Sequence, residues 1–125
     1  MQYLLMIYQN EADYGKIDAA TSKKVLEEYG AFTQSIIQNG NFKAGDRLQP
    51  TTTATTVRVR DGKVSIRDGP FAETKEVLAG FYLIDAADLN EAVQVASKMP
   101  PAHVGSIEVR PVRELASTTG ERRRL

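Results

Sequence analysis

The sequence contains no cysteine and a single histidine. Without thiols there can be no disulfide, no thiolate metal site and no cysteine nucleophile, and the composition suits a reducing cytoplasm, where the chain is expected to reside. One histidine without cysteine leaves too few ligands for a transition-metal centre, with an incidental carboxylate site as the alternative, and neither a built metal site nor a cofactor is expected. Excess charge is missing as well, because 16 Lys and Arg balance 16 Asp and Glu. No global field draws the chain to polyanions, which argues against nucleic acid and an anionic membrane as partners. Long apolar runs are also absent. The N-terminal "YLLMIY" is too short to span a bilayer and lacks the basic flank of a signal peptide. No glycine-rich phosphate loop occurs; Gly62, Gly69 and Gly80 are scattered among turns and a strand.

What is present fits one domain: 125 residues, 42% hydrophobic and 26% charged. Residues 2–8, "QYLLMIY", read as a strand apolar on both faces, with Tyr3, Leu5 and Ile7 on one side and Leu4, Met6 and Tyr8 on the other. After a polar loop, residues 18–40 carry Val25, Leu26, Tyr29, Phe32, Ile36 and Ile37 at helical spacing, with Asp18 or Thr21 as N-cap and Gly40 as the stop. Gly30 inside this helix should cost about 1 kcal/mol relative to Ala. "FKAGDRL" reads as a short strand and "QPTTT" as a loop. "TVRVR-DG-KVSIR" alternates around Asp61-Gly62, a pair suited to a type I′ turn, so Arg60 should pair with Lys63, Val59 with Val64 and Val57 with Ile66. Residues 77–84, "VLAGFYLI", form another two-faced strand. A second helix starts at Asp88, with Glu91 in capping-box spacing, buries Leu89, Ala92, Val93 and Ala96, and stops at Pro100-Pro101. "GSIEVRPV" closes the domain as a strand near residue 113, and residues 114–125, ending in "ERRRL", read as a polar tail.

The order predicts an α+β fold: a ferredoxin-like βαββαβ plan with a β-hairpin inserted in its middle. Two helices cover only one face of such a sheet. The apolar groups on the other face then call for a second copy packing sheet to sheet, a homodimer, rather than for the hairpin folding back, since the hairpin's apolar stripe is narrow.

Residues 67–76, "RDGPFAETKE", are the densest group of ionisable side chains beside a strand. Asp68-Gly69-Pro70 is turn chemistry, in which the carboxylate accepts a backbone N–H and proline fixes φ. Glu73 and Lys75 either pair in solvent or line the mouth of a cavity. Glu108 and Arg110 lie two apart on the last strand and share a face opposite Ile107 and Val109, so they point to the side away from the helices. There they either form an ion pair or orient an anionic or carbonyl ligand. Tyr3, Tyr8 and Tyr82 either add hydroxyls to the same space or, as tyrosines in strands usually do, belong to the core or an interface. His103 has the side chain best suited to proton transfer near neutrality, with an exposed loop position as the alternative reading.

The hairpin, Asp68-Gly69-Pro70-Phe71, the following Ala72-Glu73-Thr74-Lys75-Glu76, the strand "LAGFYLIDA" and the closing "GSIEVRPV" resemble the YCII-related superfamily, in the branch named for its DGPF motif. The resemblance runs from the first strand to about residue 113. It implies a dimeric α/β-barrel assembly. It also implies two functional associations: small lyases and isomerases that use a His and Asp pair in a barrel pocket, and signalling or stress-response systems built on extracytoplasmic-function sigma factors. His103 lies outside the family motif and does not map onto the family's histidine. The combined expectation is a small polar or anionic ligand bound at the open sheet face, with Tyr8, Glu73, Lys75, Glu108 and Arg110 around it. Asp68 or His103 would be the base for any lyase- or isomerase-type proton transfer. The alternative is a non-catalytic interaction module for a sigma-factor system.

Overall fold

The computed structural model describes residues 1–14, 18–103 and 105–114. Strands β1 (Gln2–Gln9), β2 (Phe42–Arg47), β5 (Val77–Asp85) and β6 (Ser106–Pro111) form one sheet in the order β2-β5-β1-β6, every adjacent pair antiparallel. Strands β3 (Thr55–Arg60) and β4 (Lys63–Asp68) make a separate two-stranded sheet. With α2 (Ala19–Gln38) between β1 and β2, and α3 (Leu89–Ser97) between β5 and β6, the arrangement is compatible with a ferredoxin-like α+β fold carrying an inserted hairpin. A short helix α1 (Glu11–Tyr14) occupies part of the stretch expected as loop. The tail beyond residue 114 lies outside the described residues.

Alternation along β1 sorts its residues as expected. Tyr3, Leu5 and Ile7 are buried against the helices, while Leu4, Met6 and Tyr8 are half-buried on the open face. In register, Tyr3 and Leu5 oppose Ile84 and Tyr82 on β5, and Leu5 and Ile7 oppose Val109 and Ile107 on β6. The core therefore lies between this face and α2 and α3, with Phe32, Ile36, Ala92 and Met99 packed into it. Tyr3 and Tyr82 belong to that core, one of the two places open to strand tyrosines, and Tyr8 stands on the open face.

Asp18 caps α2 by accepting from the Thr21 N–H at 2.7 Å, and Gly40 takes φ +79° just beyond its end. Among its apolar residues Tyr29, Phe32 and Ile36 are buried, whereas Leu26 and Ile37 remain exposed. The face of α3 is likewise rotated from the expected one. Ala92, Val95, Ala96 and Met99 are buried at i, i+3, i+4 and i+7, and Leu89 and Val93 form an exposed pair on the neighbouring arc. The hairpin has the expected register, with φ +53° at Asp61 and +74° at Gly62. Its apolar side does not fold back onto the sheet, since Val57, Val59, Val64 and Ile66 are each more than half exposed. One further irregularity positions the site: on β5, Ala79 is an extra residue between Gly80, which opposes Ile7, and Leu78, which opposes Tyr8.

Candidate functional site

Downstream of the hairpin the chain returns toward the sheet through Gly69, at φ +101°, where a residue with a Cβ would be strained. The Gly69 N–H donates to the Ala54 carbonyl at 2.8 Å, and Thr56 Oγ1 donates to the Gly69 carbonyl at 2.8 Å. Arg67 Nη2 donates to the carbonyls of Pro70 at 3.0 Å and Phe71 at 3.4 Å. Above this turn the Arg58 guanidinium stands 5.5 Å from the Phe71 ring centroid, which keeps the exposed aromatic in place. The basic side of the hairpin thus fixes the loop that follows it.

Facing that loop is the segment 48–54. The Leu48 N–H donates to the Ala79 carbonyl at 2.8 Å, and Glu11 of α1 accepts from both Thr51 N–H at 3.0 Å and Thr51 Oγ1 at 3.1 Å. Between the two loops and the end of β1 lies a cleft of about 660 Å³, bounded by Tyr8, Gln49, Thr51, Phe71, Thr74 and Leu78, among others. Among the described residues, Tyr8 is the one ionisable side chain on its walls. Apolar and aromatic surface with a few hydroxyls and an amide is the usual chemistry of a small-molecule pocket, and the volume falls within the roughly 300–1,000 Å³ typical of one.

Of the residues singled out from sequence, Tyr8 stands in this cleft. Asp68 ends β4 opposite Thr55, on the hairpin's apolar side, and among the described residues its carboxylate makes no hydrogen bond or ion pair. Glu73 and Lys75 are exposed beyond the cleft's walls. Glu108 and Arg110 occupy the open face as expected, opposite Met6 and Leu4. Arg110 Nη2 approaches Glu108 Oε2 to 2.7 Å, an ion pair without hydrogen-bond geometry, because that buried oxygen accepts no hydrogen bond. His103 closes a 3₁₀ turn over residues 100–103, and its side chain lies outside the described ones. The charged candidates do not converge on one cavity with Tyr8. Sequence reasoning passed over Gln49 and Thr51, whose signal was the run "QPTTT", read only as a loop.

The YCII-related domain model matches residues 1–116, which takes in every strand of both sheets and the cleft between them. The chain belongs to the YCII-related family. A protein of Rhizobium meliloti (strain 1021), named only as an uncharacterized protein, is 39% identical over 114 residues, covering 90% of this chain and 92% of its own length. Among the described residues, no helix is long and apolar enough to cross a membrane.

Proposed function

We propose that this YCII-related protein is a small-molecule-binding protein of the DGPF branch, with the ligand held between the DGPF loop and the segment 48–54. The observation that carries this reading is the cleft of about 660 Å³ beside Tyr8, walled by two independently tethered loops. Its surface suits a compact molecule with an apolar body and a few carbonyl or hydroxyl groups, met by Tyr8 Oη, Thr51 Oγ1 and the Gln49 amide. Binding is favoured over proton-transfer chemistry because a general base must stand within hydrogen-bond reach of the proton it takes, and Asp68 is not on the cleft's walls. The same reading has a second copy of the chain cover the open face, where Leu4, Met6, Phe81 and Leu83 lie half-buried.

A thermal-shift screen of small carboxylates, lactones and phosphorylated metabolites tests the site. A ligand present at about a hundredfold excess over its Kd stabilises the native state by about 2.7 kcal/mol. The expected result is a compound that raises the Tm of wild type, Asp68→Ala and Arg110→Ala alike, and fails on Ala72→Trp, which fills the cleft. If Ala72→Trp responds as strongly as wild type, the ligand does not sit there. A regulatory module serving a sigma-factor system is the second reading, favoured by the exposed apolar side of the hairpin as a surface for another protein.

A further inference from the structure

The hairpin β3–β4 has two unlike sides, and its register assigns each strand residue to one of them. Thr56, Arg58 and Arg60 stand with Lys63, Ser65 and Arg67 on one side, and Thr55, Val57 and Val59 stand with Val64, Ile66 and Asp68 on the other. The polar side is tied to the chain's own body. From it Arg58 lies over the Phe71 ring, Arg67 donates to the Pro70 and Phe71 carbonyls, and Thr56 donates to the Gly69 carbonyl. With that side held against the DGPF loop, the apolar side is turned outward, and Val57, Val59, Val64 and Ile66 are between 56% and 68% exposed. A two-stranded sheet is marginal alone and needs a layer packed on its apolar side. Nothing among the described residues supplies that layer.

A second copy carries the matching surface. On the side of the main sheet away from α2 and α3, the open face presents Leu4, Met6, Phe81 and Leu83, all half-buried. One sheet face packs on another through side chains that interdigitate in this way. Charge agrees at the rim. Lys63, next to Val64 at the hairpin's tip, and Asp46, which opposes Phe81 from the edge strand β2, are both exposed, and neither has a hydrogen bond or ion pair among the described residues. Two-fold symmetry makes such a contact reciprocal, so each copy gives a hairpin and receives one. Four uncovered apolar faces are then buried at once, while the basic side of each hairpin keeps its contacts with its own loop.

We propose that the hairpin is an arm that clasps a second copy of the chain, its apolar side packed on that copy's open sheet face with Val64 over Phe81. Tyr8 belongs both to the open face and to the cleft walled by the DGPF loop and the segment 48–54. A hairpin docked on that face therefore borders the Tyr8 cleft, and the ligand site is complete only in the dimer. The clasp rests on the reading in which a second copy covers the open face, and it names the segment that does the covering.

The absence of cysteine makes the contact testable by cross-linking in the full chain. Val64→Cys and Phe81→Cys chains are mixed, oxidised and separated without reductant, and since a disulfide needs Cα atoms within about 7 Å, a product joining the two variants reports their contact. The expected result is that mixed product at several-fold higher yield than the self-linked dimer of either variant, with the joined peptides identified by mass spectrometry. Val64→Lys combined with Ile66→Lys, at positions exposed in the single chain, is expected to weaken dimerisation about tenfold or more in light scattering on dilution, while circular dichroism retains the wild-type fold. The proposal falls if no mixed product forms. Self-linked Phe81→Cys with a lysine variant that dimerises like wild type removes the hairpin from the contact and leaves a second copy on the open face. Self-linked Val64→Cys alone puts hairpin against hairpin instead. A wild-type chain that stays monomeric at every concentration removes the second copy altogether and leaves the hairpin for another protein.

Discussion

Gly30 is placed where a helix is least tolerant of it, and nothing in the packing requires it. Gly30→Ala is therefore expected to raise the stability of the free protein by up to about 1 kcal/mol, read as a higher urea midpoint at unchanged slope. Gly45→Ala should do the reverse, because its Cβ would collide with the Tyr82 ring and a mainly buried tyrosine has little room to retreat. Tyr29 adds a dependence on alkaline pH. Its folded-state pKa, about 12, lies above the ordinary value of 10.0, so its contribution to stability is fully present below pH 10 and is lost as pH rises toward 12. Phenolate absorbance should show a late step from Tyr29, and Tyr29→Phe should remove it along with part of the alkaline loss of stability.

At the scale of elements, the capping of α3 links helix to sheet. Asp88 accepts from the Glu91 N–H at 2.9 Å, and Glu91 accepts from the Ala87 N–H at 3.0 Å and from the Asn41 amide at 3.0 Å. Asn41 is itself buried and also donates to the Asp85 carbonyl at 2.9 Å. Glu91→Ala removes both acceptors and is expected to cost about 1–3 kcal/mol, with a double-mutant cycle against Asn41→Ala giving a clearly non-zero coupling in chemical denaturation. The spacing of Asp88 and Glu91 was legible in the sequence because a cap is a local device. So was the hairpin, whose register follows from alternation and one Asp-Gly turn. The buried arcs of α2 and α3 were less legible. Leu26, Leu89 and Val93 are as apolar as the residues that do go inside, and only the position of the sheet decides which arc of the helix it meets. The cleft was least legible, since Glu11 with Thr51 and Leu48 with Ala79 are contacts between segments far apart in sequence that leave no periodic trace.

For the whole molecule, balanced charge and an isoelectric point near 6.6 predict a solubility minimum close to that pH, checked by turbidity across a pH series. The open face sets the expected assembly. Met6→Lys, which puts a charge among Leu4, Phe81 and Glu108 on that face, should convert a dimer to a folded monomer, read by light scattering. In that monomer the hairpin amides should exchange faster than those of β1 and β5, because an isolated pair of strands with an exposed apolar side is marginal alone.

The extra residue on β5 makes this plan adjustable. Ala79 opposes nothing on β1, so the sheet does not depend on it for its ladder there, yet its carbonyl holds Leu48 and hence one wall of the Tyr8 cleft. A deletion of Ala79 would leave Gly80 and Leu78 as neighbours opposite Ile7 and Tyr8, an uninterrupted ladder in the same register. What it would change is the aperture, since the 48–54 loop would lose one of its two anchors and keep the other, the contacts of Thr51 with Glu11. A lineage could therefore widen or narrow this cleft by gaining or losing one residue at this joint, at the cost of the packing of Ala79 against the core.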